Sequence, residues 1–146
     1  KPINIVAPIG TCIGDLIPEV VSLKENVVKI ISGGPMMGFA MKSADFPIQK
    51  NTSGVLFLTE AETSLQEEDV CIGCARCVSA CSCYLSPVLM VRALKTGNYD
   101  EALKLGLMDC VECGACSFIC PAHIKLVQRF RIGKQVLRLK KAKGGK

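Results

Sequence analysis

Eight of the ten cysteines fall into two copies of one spacing, which constrains this chain more than any local propensity does. The first copy is Cys71-x-x-Cys74-x-x-Cys77-x-x-x-Cys81. The second is Cys110-x-x-Cys113-x-x-Cys116-x-x-x-Cys120, followed by Pro121. Three cysteines at this spacing wrap three corners of an iron–sulfur cubane, while the fourth points away on the helix that follows. In two-cluster ferredoxin runs, that fourth cysteine ligates the other cluster. The spacing therefore predicts two [4Fe–4S] clusters with crossed ligands. Cluster one takes Cys71, Cys74, Cys77 and Cys120, and cluster two takes Cys110, Cys113, Cys116 and Cys81. Small residues at Gly73, Ala75, Gly114 and Ala115 suit backbone that must lie against a cluster with its amides facing the sulfurs.

Other uses of cysteine fit less well. Zinc takes four tetrahedral ligands, commonly from two well-separated C-x-x-C knuckles, and two tight tetrads suit that geometry poorly. Disulfides call for an oxidising compartment, and cysteines this close in sequence cannot bridge comfortably. His123, the only histidine, lies just past Cys120, but both tetrads are complete without it. It reads as a cap or surface residue.

Around the tetrads the sequence is helical. "SPVLMVRALKTGNYDEALKLGL" predicts two short helices broken at Thr96-Gly97-Asn98, and a longer one starts near His123. Its apolar stripe is Ile124, Val127, Phe130 and, after a shift, Val136 and Leu137. Ahead of the tetrads, "INIVAP", "NVVKIIS" and "GVLFLT" are β-branched runs, with a helical pattern in "GDLIPEVVSLK" between the first two. The expected order is strand, helix, strand, strand. "ISGGPMMGF" forces a sharp turn between strands and matches no phosphate-binding loop or dinucleotide fingerprint. Residues 1–60 are thus read as a small β-grasp-like domain, 61–69 as an acidic linker, and 70–146 as a helical two-cluster ferredoxin domain. The fold class is α+β.

Composition excludes some functions. With 49% hydrophobic and 21% charged residues the chain is too apolar for disorder. No stretch approaches the roughly 20 uncharged apolar residues of a spanning helix, and no signal-peptide pattern opens the sequence. The start "KPINIVAPIG" reads as the interior of a longer polypeptide. The net charge of +5 is uneven: Ala122 to Lys146 holds nine Lys or Arg and no acid, which leaves nine bases against thirteen acids before it. Such a basic tail fits an acidic partner or anionic headgroups better than nucleic acid, because no aromatic residue follows Phe130 to stack bases.

A glycine turn "GGPMMGF", the strand "NTSGVLFLT" and two tetrads ending "DCVECGACSFICPAHIKLVQRFRIGK" together resemble the C-terminal part of the RnfC family, subunits of the Rnf electron-transport complex. The resemblance implies a peripheral subunit on the cytoplasmic face of the cell membrane. It implies a complex exchanging electrons between ferredoxin and NAD(H), coupled to Na⁺ or H⁺ translocation, with other Rnf subunits as partners. FMN and NADH are then expected on a domain N-terminal to this segment, and no catalytic residue on the segment itself. The first region resembles the family's soluble-ligand-binding β-grasp (SLBB) domain. Two positions depart from the family pattern: Ser82 and Cys83 stand where a proline usually follows the first tetrad, and Cys12 lies where proline is common. A cobalamin-reductase-like iron–sulfur flavoprotein shares the layout. A ligand-binding β-grasp module with structural metal sites is the reading from outside the redox class.

Overall fold

The computed structural model describes residues 2–23, 26–63 and 66–144. It divides into two compact units, Lys1–Leu65 and Gln66–Lys146.

In the first unit, helix α1 (Ile13–Val20) is followed by strands β1 (Val27–Ser32), β2 (Phe39–Met41) and β3 (Val55–Thr59). The strands form one antiparallel sheet in the order β2-β1-β3, with Ile31 opposite Ala40 on one side and Leu56 on the other. Two strand expectations need correction. "INIVAP" forms no strand, since β propensity gives no ladder without a partner edge, and Ile3, Ile5 and Val6 are exposed. A three-residue strand, β2, occupies a stretch where none was expected, because the glycine turn folds Phe39–Met41 back onto β1. Gly38 is indispensable there: a Cβ would sit 2.5 Å from both the Gly34 carbonyl and Ile31 Cγ2. Only Ile13, Ile31 and Thr59 are buried among the described residues of this unit. Thr59 N–H and Oγ1 both donate to Glu62, closing the unit's last turn.

The second unit is helical: α2 (Arg76–Ser79), α3 (Pro87–Lys95), α4 (Tyr99–Lys104), α5 (Ala115–Phe118) and α6 (Leu126–Gly144). Pro87 opens α3 at a position where its missing N–H costs nothing, and Asn98 Oδ1 caps α4 by accepting from Glu101 N–H. The break between α3 and α4 falls at Thr96-Gly97-Asn98, as the turn residues predict, and α6 begins three residues later than expected. The core gathers Met90, Val91, Ala102, Leu107, Ile124, Leu126, Val127 and Phe130. The shift in the α6 stripe has a physical cause. Gly133 lets the helix approach Leu94 and Leu107 closely, and the next inward position, Lys134, is a lysine only 5% exposed.

Candidate iron–sulfur site

Each tetrad winds through left-handed backbone at the same places. Positive φ occurs at Gly73, Ala75 and Tyr84 around the first tetrad, and at Glu112, Gly114 and His123 around the second. Every pair is thirty-nine residues apart, so the repeat in the cysteines is also a repeat in the chain path. Alternating left- and right-handed residues turn successive amides into a concavity that favours anions. At a non-glycine residue this backbone costs roughly 1–2 kcal/mol, which four residues bear here: Ala75, Glu112, Tyr84 and His123. His123 is exposed on its turn, as a surface residue.

Two cavities lie against the helical core. One, of about 370 Å³, is lined by Cys71, Cys74, Cys77 and Cys120, with Val88, Val91, Ile124 and Leu126 behind them. The other, of about 340 Å³, is lined by Cys110, Cys113, Cys116 and Cys81, with Met90, Val127 and Phe130 behind. Each thus unites three cysteines of one tetrad with the fourth of the other. Charge coupling between the thiols follows the same crossing. Burial pushes the Cys77 thiol up and Cys120 adds to the rise; burial pushes Cys110 up and Cys81 adds to it. Cys116, the one buried cysteine, is pushed up to about 11, again chiefly by burial.

The donor set fits an iron–sulfur group. Cysteines alone supply the ligands, and they stand around a space of several hundred cubic ångströms. Among the described residues, no three His, Cys, Asp or Glu side chains converge on a point as a mononuclear metal requires.

The two cavities differ in their surroundings. Cys71 and Cys74 are exposed, with Val70 and Ile72 exposed beside them. In the second cavity Leu85 N–H donates to Cys81 Sγ at 3.4 Å, and Ser82 Oγ lies 4.0 Å from both Cys113 Sγ and Cys83 Sγ. Cys83 lines this cavity as a fifth cysteine. Cys12 belongs to the first unit, where it bridges to Pro47 and donates weakly to the Ala44 carbonyl at 3.8 Å.

Sequence reasoning missed the ion pairs that hold the loops to α6. Lys134 Nζ donates to the Cys110 carbonyl at 2.5 Å and to Glu112 Oε1 at 2.9 Å, and Arg131 Nε donates to Glu112 Oε2 at 3.0 Å. Burial works to raise the Glu112 carboxyl, but these two cations outweigh it and hold it below its usual range. Glu68 accepts from Lys125 N–H at 2.8 Å and pairs with Arg129 at 2.5 Å. Asp69 N–H donates to the Ala122 carbonyl. Glu68 and Asp69, read from sequence as linker, are therefore held by the second unit. The basic tail is also less uniform than its composition: Arg129, Arg131 and Lys134 are paired inside the unit, and Lys140 lies 4.8 Å from the centre of the Tyr99 ring. Arg138, Lys141 and Lys143 remain exposed, and Lys146 lies outside the described residues. The one available signal was the charge interrupting the stripe between Phe130 and Leu137.

Residues 63–121 match the family model described as a 4Fe-4S dicluster domain. Over 132 residues, 90% of its length, the chain is 44% identical to the C-type member of the proton-translocating ferredoxin:NAD(+) oxidoreductase complex of Clostridium ljungdahlii, covering 29% of that protein. It is 35% identical, over 99% of its length, to the Na(+)-translocating counterpart from Acetobacterium woodii, covering 32%. Cobalamin reductase PduS of Citrobacter freundii is 31% identical over 94% of the chain, which covers 35% of it. The chain spans about a third of the length of these curated relatives. Among the described residues, no helix is long and apolar enough to cross a membrane. The path of the two cysteine loops, the all-cysteine donor sets and these matches converge: as a segment about a third as long as its relatives, the chain belongs to the RnfC family and carries its iron–sulfur domain.

Proposed function

We propose that this chain is the electron-carrying segment of an Rnf-type ion-translocating ferredoxin:NAD oxidoreductase, with one [4Fe–4S] cluster in each cavity. The observation that carries the reading is the lining of the two cavities, three cysteines from one tetrad and the fourth from the other. Cys71, Cys74, Cys77 and Cys120 bind cluster one; Cys110, Cys113, Cys116 and Cys81 bind cluster two. Each cluster, when bound, stores and passes one electron without proton chemistry of its own. The chain's own residues do the rest. Val91, Ile124 and Leu126 on one side, and Met90, Val127 and Phe130 on the other, keep water off the buried faces. The left-handed loops turn amides inward, and Leu85 N–H supports the Cys81 thiolate. Crossing the ligands makes each loop depend on the other, which fixes the spacing of the two carriers.

Residues 1–60 then form the β-grasp (SLBB-like) domain, 61–69 the connection and 70–146 the ferredoxin-type domain. In the full complex the segment sits peripherally on the cytoplasmic face of the membrane, held by other Rnf subunits, with ferredoxin and NAD(H) as the complex's electron partners. FMN and NADH bind to a domain outside this chain. The resemblance to cobalamin reductase PduS supports a second reading, an iron–sulfur flavoprotein segment of that kind. Both readings require reducible clusters. Anaerobically purified protein reduced with dithionite is expected to show the EPR signal of a reduced [4Fe–4S] cluster; iron-loaded protein without one carries structural metal only. The two redox readings separate by pull-down: the full-length protein is expected to co-purify with membrane-embedded Rnf subunits, and a soluble cobalamin-processing partner in their place supports the second.

A further inference from the structure

A lysine seldom occupies a helix-packing position, because burying an ammonium costs several kcal/mol before its partners offset it. Lys134 nonetheless takes the inward position of α6 between Phe130 and Leu137, where leucine or methionine would complete the apolar stripe. Its partners belong to the second cysteine loop. One is the main-chain carbonyl of Cys110, a proposed ligand; the other is Glu112, which lines the same cavity. Glu112 is shared with Arg131, so two cations face one carboxylate and the group carries a net positive charge.

The repeat supplies a control inside the same molecule. Thirty-nine residues earlier, Glu112 corresponds to Gly73, which has no side chain, and Lys134 corresponds to Lys95, which is exposed. The ion pair nearest the first loop, Glu68 with Arg129, is neutral as a pair. Arg76, next to Cys77, and Asp109, next to Cys110, are exposed, where water and salt weaken their fields. A buried cation in low dielectric therefore acts on one cavity and has no counterpart at the other.

Resting on the two-cluster reading, we propose that Lys134 sets the order of reduction, so that the cluster held by Cys81, Cys110, Cys113 and Cys116 takes the first electron. The step adds one electron, from a low-potential one-electron donor such as reduced ferredoxin or dithionite, and no proton. The added negative charge lies beside the Lys134–Glu112–Arg131 group, whose net positive charge stabilises it. The other cluster lacks this stabilisation and fills second. Lys134 is a tuning residue acting through the Cys110 loop, and it touches no reacting atom.

The test is an EPR-monitored redox titration of the anaerobically purified protein, resolving two midpoints. Lys134→Met is expected to lower the higher midpoint by at least tenfold in its reduction equilibrium, about 59 mV for one electron, leaving the lower midpoint in place. Glu112→Gln removes the negative member of the same group and is expected to move the higher midpoint upward. Lys134→Arg keeps the charge and is expected to stay near wild type, as is Lys141→Met on the exposed face of α6. Opposite shifts from Lys134→Met and Glu112→Gln distinguish field from packing, because mere loosening of the loop drives both the same way. If Lys134→Met does not retain iron, Glu112→Gln decides alone. An unmoved higher midpoint, a shift of both midpoints together, or shifts of the same sign overturns the proposal. Two intact clusters with unmoved midpoints sink this proposal only, whereas wild-type protein that takes up no iron and sulfide sinks the two-cluster reading beneath it.

Discussion

Phe130 is the residue whose loss bears hardest on both stability and cluster retention. Its ring is fully buried in the helical core and lines the cavity shared by Cys81, Cys110, Cys113 and Cys116, with no part in lining the other. Truncating a fully buried phenylalanine to alanine costs about 3–5 kcal/mol, the lost transfer energy plus the void left behind. A unit of about 80 residues has a total stability of roughly 4–12 kcal/mol at the usual value per residue, so Phe130→Ala removes a large share of it. The void also opens a path for water to one set of cysteines. Urea unfolding of anaerobic protein, followed by far-UV circular dichroism, is expected to show that loss, with Ile132→Ala, 60% exposed on the same helix, within about 0.5 kcal/mol of wild type. Iron release to a chelator is expected to be biphasic in Phe130→Ala, the faster half coming from the cavity that lost the ring. A cost below about 1.5 kcal/mol, or a single release phase as slow as wild type, would refute the placement of Phe130 as a shared wall of core and cavity.

Three further expectations test separate parts of the account. Cys120→Ser removes a cysteine of the second tetrad yet is expected to damage the cluster held by Cys71, Cys74 and Cys77; selective loss of the cluster on Cys110, Cys113 and Cys116, seen by EPR with iron analysis, contradicts the crossing. Cys83→Ala is expected to keep full iron content, and Ser82→Ala to lower one midpoint modestly by removing the hydroxyl 4.0 Å from Cys113 Sγ; iron loss in the first, or no shift in the second, counts against the corresponding half. Glu68→Gln is expected to destabilise the second unit by about 1 kcal/mol, because Lys125 N–H and Arg129 hold that carboxyl below its usual range. A lowered folded pKa contributes stability that is complete above the ordinary carboxylate pKa and is lost as pH falls through the folded value. The difference between Glu68→Gln and wild type should therefore be flat from about pH 8 to about pH 5.5, and a decline within that window contradicts the pairing.

The legible part of the molecule was the part written in short-range pattern. Cysteine spacing names both loops, and Thr96-Gly97-Asn98 marks the break between α3 and α4 because turn residues act locally. The glycine turn was equally clear, since Gly38 leaves no room for a side chain. What failed depended on partners distant in sequence. "INIVAP" has strand composition but no edge to pair with, while the three residues of β2 are too few to show a period. Glu112 and Lys134 meet across 22 residues, and Glu68 and Arg129 across 61, so neither pair has a local signature. Composition concealed the same fact: nine positive charges read as one basic tail, whereas Arg129, Arg131 and Lys134 face inward and hold the loops. A charge within an apolar stripe was the visible trace of that arrangement.

The most direct test of the central claim is iron and acid-labile sulfide analysis of the protein reconstituted without oxygen. Two four-iron clusters predict about eight of each per chain. About four of each means that only one cavity is filled, and bound metal without sulfide contradicts the account outright.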